Sequence, residues 1–288
     1  MRKTIALLFH ERHSRGRRRI PYTIYPLARC WEEAGHKVVL VFGVEKFVPA
    51  DLAILHVDLS VVPDEYLAFA SRYPIVLNGR VKDIRKSTFS GNIVRPGDPY
   101  NGRVIVKSDL NYAGLPERML AEPRRSRGSR LLAKLSRRFR SGRPAAAVRS
   151  TAPRDYRIYD RPGDVPRASF EDDSFVVEKF LPEIENGLYR VRNFQFLGDR
   201  ATCVRIASPH PIVKSDSKVS REVVEPHPEI VARREALGFD YGKFDYVIHE
   251  GQPVLLDVNK TPGDSPTMDE EVRARVRYRA AGLNSYFA

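Results

Sequence analysis

The chain has 288 residues, 42% of them hydrophobic and 30% charged, with a formal net charge of +13. That length and apolar content suit one to three packed subdomains of a folded protein, and no apolar run approaches the length of a membrane span. Two cysteines, Cys30 and Cys203, sit far apart inside apolar patterns, which excludes the usual metal and redox spacings and favours a reduced, cytoplasmic setting.

The charge is uneven. Residues 117–161 carry 14 Lys/Arg against 4 Asp/Glu, a local +10, whereas the remainder carries 35 against 32. The basic character therefore belongs to one segment of a chain that is otherwise near neutral.

The opening residues have a basic pair and a short apolar run, like a weak signal peptide. They lack a small-residue cleavage site and turn charged at once, so 3–10 (KTIALLFH) is expected to be a first strand. An Arg-heavy loop at 12–19 leads to a helix over 22–34 that Gly35 ends. Strands are expected at 37–42 (KVVLVF), 51–57 (DLAILHV) and 75–77, with a helix opened by Pro63 between the last two. Such alternation predicts a parallel sheet covered on both faces, a small Rossmann-like domain. No G-x-G-x-x-G follows its first strand, so no dinucleotide site is expected. Ligands usually bind at the carboxyl ends of parallel strands, where the loops here carry His10, Arg12, His56, Asp58 and Asn78.

Residues 78–92 read as a crossover containing Lys86. The segment 103–107 (RVIVK) is a strand ending in Lys107, followed by SDLNYAG with one glycine, Gly114. Within 117–161, Leu131, Leu132, Leu135 and Phe139 recur at helical spacing among Arg and Lys, and 143–153 reads as a linker. A basic amphipathic helix of this kind suits an acidic membrane surface, a polyanion or an acidic partner, or is a solvated excursion. Aromatics are sparse there, which disfavours nucleic-acid stacking.

The stretch 174–182 (SFVVEKFLP) is a strand that leaves through Glu178, Lys179, Phe180 and Leu181, with Glu183 and Glu185 close behind. Residues 189–197 alternate strictly, Gly198 and Asp199 turn the chain, and 201–207 return, carrying Arg205; His210 and Lys214 follow in a loop. A helix is expected over 228–237, ended by Gly238, and another over 269–281, with acids early and arginines late in favour of the helix dipole. Between them, 245–263 (DYVIHEGQPVLLDVNKTPG) has a hairpin pattern. A turn centred on Gly251 sets Asp245 opposite Asp257, with Asn259 on the same face two residues on. Two close carboxylates repel unless a cation or shared proton intervenes, and these hard oxygen donors suit Mg²⁺. The alternative is that Asp257 and Asn259 are solvated residues at a strand end.

An Asp, an acid twelve residues on, an Asn two further and a Pro-Gly turn together resemble the metal-binding end of the ATP-grasp superfamily. Enzymes of that superfamily are similar to glutathione synthetase, D-alanine–D-alanine ligase and the ribosomal-protein glutamate ligases. The resemblance implies an α/β chain of α+β ATP-grasp type: a Rossmann-like domain at 1–85, a lid subdomain at 86–181 carrying the basic insertion at about 117–161, and a metal-bearing subdomain at 182–288. It implies that Asp245, Asp257 and Asn259 hold two Mg²⁺ ions, with Mn²⁺ as a substitute, on the phosphates of ATP. Lys107 and Lys86 then match nucleotide-contacting lysines. Glu178, Lys179, Phe180 and Leu181 match the adenine hinge, and Glu185 or Glu183 the ribose acid. Arg205 matches the Arg that meets the transferred phosphoryl group, with Arg190 and Arg192 as rivals. The chain departs from the pattern in having Asp257 where Glu is usual and a glycine-poor phosphate loop. The activity implied is ADP-forming carboxylate–amine ligation through an acyl phosphate, on small carboxylate and amine substrates, with homodimerisation left open. The alternatives are phosphoryl transfer to a small acceptor and a non-catalytic nucleotide- or polyanion-binding protein.

Overall fold

A computed structural model describes residues 1–13, 21–121, 156–213, 217–263 and 269–287. The expected basic helix around Leu131–Phe139, the linker at 143–153 and Lys214 lie outside the described residues.

Strands β1 (Thr4–Phe9), β2 (Lys37–Phe42), β3 (Leu52–Leu55) and β4 (Val76–Leu77) form a parallel sheet in the order β2-β1-β3-β4. β1 lies inside the sheet and is apolar and buried from Ile5 to Phe9 because both its faces are covered. Ile5, Leu7 and Phe9 pack with Ile24, Leu27 and Trp31 of helix α1 (Ile24–Glu33), while Ala6 and Leu8 pack with Tyr66 and Phe69 of α2 (Asp64–Ala70). Gly35, at φ +88°, ends α1 as expected, its amide and that of His36 turning back to Glu32 O and Trp31 O.

A second, antiparallel sheet has the order β6-β5-β7, built from β5 (Val104–Ser108), β6 (Arg157–Tyr159) and β7 (Phe175–Lys179). Helix α3 (Lys86–Phe89) precedes it, α4 (Leu115–Ala121) follows β5, and α5 (Ala168–Glu171) precedes β7. Lys107 is not the end of its strand; it sits within the ladder opposite Val176.

The third sheet is antiparallel, in the order β11-β10-β9-β12-β13 with β8 on β9. Its strands are β8 (Glu183–Glu185), β9 (Leu188–Leu197), β10 (Arg200–Ser208), β11 (Ser220–Val224), β12 (Tyr241–His249) and β13 (Gln252–Asn259). Phe194, Phe196, Cys203, Phe244, Tyr246 and Val258 cover its rear with Ile230 of α6 (Pro228–Ala236), with Phe89 of α3 and with Ile84 just before it. On the front, Leu197 and Tyr241 join the core of the parallel sheet, together with Val276 and Ala280 of α7 (Glu270–Ala280). Trp31 Nε1 donates to Ala280 O at 2.9 Å, tying the last helix to the first. The α+β class and the parallel sheet of the first domain agree with the sequence expectation. Strands β6, β8 and β11 were not anticipated, because short, charged segments carry too little apolar alternation to mark a strand.

Candidate nucleotide and metal site

The hairpin places its acids as expected, through a different turn. The loop is two residues, Glu250 and Gly251, both at positive φ (49° and 79°), which matches the twist of a tight hairpin. A one-residue register shift between Asp245 and Tyr246 then restores the pairing of Asp245 with Asp257. Lys243 lies opposite Asn259 on the same face, and its Nζ is 2.8 Å from Asp245 Oδ2. Asn193 Nδ2 donates to Asp245 Oδ1 at 2.7 Å, and Gln195 in turn donates to Asn193. Burial works against the Lys243 ammonium, but Asp245 and then Asp257 hold its pKa above the ordinary lysine value. Asn259 Oδ1 accepts from Thr261 N at 2.8 Å, which shapes the turn beyond the strand.

Both predicted lysines reach this region. Asp109 fixes the start of α3 by accepting from Ser87 N and Ser87 Oγ, and α3 presents buried Lys86, whose Nζ is 3.3 Å from Asp257 Oδ1. Lys107 Nζ and Glu178 Oε2 form a buried pair at 2.7 Å across β5 and β7, leaving Glu178 Oε1 without a hydrogen-bond partner. Tyr156 links the two halves: burial and then Asp257 push its pKa up, Lys107 opposes them, and Glu178 adds to the rise. Asp257 of the large sheet and Lys107 and Glu178 of the small one therefore lie in one electrostatic neighbourhood, that of Tyr156.

Other expected residues lie elsewhere. Arg205 pairs with Arg192 while Asp245 pairs with Asn193, so alternation puts Arg205, Arg192 and Arg190 on the rear face, away from the acid pair. There Arg205 meets Glu222, Glu183 (3.5 Å) and Glu185 (3.2 Å), Arg192 meets Glu183, and Arg190 meets Glu185 at 3.1 Å. Glu185 is thus engaged with arginines. In the hinge, the amides of Lys179 and Phe180 donate to Asn92 O and Arg103 O, both at 2.8 Å, so neither offers a purine a donor in this state. Leu181, half-buried, follows them. Of the loop residues, Asn78 is a brace: its side chain bonds the backbone of Asp240 and Tyr241. Arg12 Nη1 donates to Leu120 O, and His10 stacks on Tyr66.

Two residues escaped sequence reasoning. Lys243 stands two positions before Asp245 and so shares its face, a signal that strand alternation carries. Lys260 follows Asn259 in the turn and is completely buried, for which the sequence holds no signal. Among the described residues no group of three or more His, Cys, Asp or Glu is placed to hold a metal ion, and no helix is long and apolar enough to cross a membrane.

No family model and no curated protein matches the sequence. Among solved structures, the chain is similar to D-alanine–D-alanine ligase from Bacillus anthracis (12% identity, TM-score 0.47, all of both chains covered). It is similar also to macrocyclase MdnB from Microcystis aeruginosa (13%, 0.44, 99% of this chain and 100% of that one). A third is a RimK domain protein ATP-grasp from Sphaerobacter thermophilus (13%, 0.47, 99% and 98%). Similarity at this level leaves the chemistry to the side chains described above.

Proposed function

We propose that the chain is an ATP- and Mg²⁺-dependent ligase that joins a carboxylate to an amine, releasing ADP and phosphate through an acyl phosphate. The observation that carries this reading is the placement of Asp245 and Asp257 face to face, beside Asn259 and in contact with Lys243 of the large sheet and Lys86 of α3. The donor set fits Mg²⁺ of the phosphate-bound kind. Two carboxylates and one amide are hard oxygen donors too few to enclose the ion, so phosphate and water would complete its shell. Bound there, the ion would neutralise charge on the phosphates.

The chain's own residues supply the rest. Lys243 and Lys86 balance the two aspartates, and both flexible ammonium groups can turn to phosphate oxygens when other cations relieve them. Lys107, held by Glu178 on the small sheet, acts on Tyr156 together with Asp257 and is a further cation for phosphate. Lys243, rather than Arg205, is the cation placed to meet charge on the transferred phosphoryl group. Closing the small sheet over the cleft excludes water and so protects an acyl phosphate from hydrolysis.

The test is ADP release from Mg-ATP across a panel of carboxylic acids with hydroxylamine present. The reading expects ADP to depend on one acid and a hydroxamate of that acid to form in step with it. A stable phosphorylated product without hydroxamate would make the chain a kinase, and AMP with pyrophosphate would refute the reading.

A further inference from the structure

Strand β2 is the outer edge of the parallel sheet, and among the described residues β1 is the only strand that pairs with it. That pairing runs through all of KVVLVF without a bulge. The amides of Lys37 and Gly43 donate inward, to Lys3 O (2.8 Å) and Phe9 O (3.0 Å). Backbone groups alternate sides along a strand, so those of Val38, Leu40 and Phe42 point outward, away from the sheet. The side chains along this open edge are apolar. Val38 and Phe42 pack partly against the core under α1 and Val39 partly against the core under α2, while Leu40 is 42% exposed.

A flat, apolar, unpaired edge invites another strand, and proteins ordinarily blunt it. The other edges of this molecule are blunted. β4 is only two residues long, β6 begins with Arg157, and β8 carries Glu183 and Glu185. β11 carries Arg221 and Glu222, and β13 carries Pro253 and Asp257. β7 is covered by residues 92–94: Val94 N donates to Val177 O and Lys179 N to Asn92 O, both at 2.8 Å. Among the described strands β2 alone combines length with no proline, no bulge and a single charge, Lys37 at its first residue.

Register selects what fits this edge. In an antiparallel pair, opposite residues exchange both backbone bonds, so outward groups must fall on outward groups. A second copy of the chain, related by a two-fold axis through Leu40, meets that demand. Leu40 lies opposite the partner's Leu40, and Val38 opposite the partner's Phe42. A shift of one residue would set outward groups against inward ones, and a shift of two would leave an outward residue unpaired. The side chains agree with this register, since leucine meets leucine and valine meets phenylalanine. Lys37 falls opposite Gly43, so no like charges face each other.

We propose that the chain forms a two-fold dimer by antiparallel pairing of β2 with β2 of a second copy, joining the two parallel sheets into one. The pairing consumes the open edge of each copy, so assembly closes at the dimer. No residue of β2 belongs to the nucleotide and metal site, and the proposal is independent of the ligase reading.

The test follows the mass of the full chain by sedimentation equilibrium from about 1 to about 200 µM, the range suited to a small interface. Residue-resolved amide exchange is measured at both ends of that range. A dimer should form, and the amides of Val38, Leu40 and Phe42 should slow at high concentration. Those of Val39 and Val41, which face β1, should keep their rates. Leu40→Pro removes an outward donor without touching a bond to β1, and should weaken association about tenfold or more. Leu40→Lys sets two ammonium groups together at the axis and should leave only monomer. Thermal melting checks that each variant folds; if Leu40→Pro does not, Leu40→Lys decides. A wild type that stays monomeric throughout overturns the proposal, even where its edge captures a strand of some other protein. So does a dimer whose three outward amides exchange as fast as in the monomer, or one undiminished in a folded variant.

Discussion

The two faces of the large sheet both carry dense charge, yet they treat it differently. On the rear, Arg190, Arg192 and Arg205 interlock with Glu183, Glu185 and Glu222, and of the buried polar atoms there only Arg190 Nε is unmet among the described residues. On the front, each aspartate of the acid pair is matched by one lysine, Asp245 by Lys243 of its own strand and Asp257 by Lys86 of α3. The cleft and the turn beside it leave Glu178 Oε1, Glu117 Oε2 and Lys260 Nζ buried and unmet. A network that closes on itself holds strands together; one with unmet groups is built to be completed by something else. The rear reads as structure, and the front carries the proposed site.

The sharpest way to break that contrast is Lys107→Met. It strands the buried Glu178 carboxylate, and urea denaturation should show a loss of about 3–5 kcal/mol. Lys107→Met combined with Glu178→Gln should recover most of that stability without recovering ATP affinity. A double variant as unstable as the single one would mean that Lys107 acts through packing.

Asp257→Ala should next weaken Mg-ATP by about 100-fold, or about 2.7 kcal/mol, with the far-ultraviolet spectrum retained. Unchanged affinity in calorimetry would remove the acid pair from the nucleotide site.

His56 tests the front interior by pH. Burial first, then His13, lower its pKa from 6.5 to about 3, so as pH falls through that window the unfolded chain takes up a proton that the folded chain refuses. Stability is therefore lost on acidification between these values, by at most about 1.4 kcal/mol per pH unit from this group. His56→Phe should flatten that limb of the stability curve; an identical slope would show that other groups dominate it.

The smallest effect is expected on the rear. Arg205→Gln should change Mg-ATP affinity by less than about twofold and stability by about 1 kcal/mol, since two of its three partners, Glu185 and Glu222, are about half exposed and the third, Glu183, keeps Arg192. A loss of affinity like that of Asp257→Ala would reverse the assignment of the two faces.

Local pattern alone determined the βαβ alternation of the first domain, the ends of α1, α6 and α7, and the pairing of Asp245 with Asp257. Each follows from periodicity or a nearby turn, and none needs knowledge of a distant element. Even Lys243 was legible in that way, being two residues from Asp245 on one strand. The tertiary structure alone decided the rest. Lys86 meets Asp257 across 171 positions because α3 packs beside the edge strand β13. Arg205 falls on the rear because strand order and register link its face to that of Asp245 through β9, and a shift of one residue would have put it in front. Lys260 loses all contact with solvent because the turn that carries it docks onto the loops around Tyr22 and Asp58. Side-chain periodicity is a property of a few neighbouring residues, whereas register and docking are set by which surfaces bury each other when the whole chain closes.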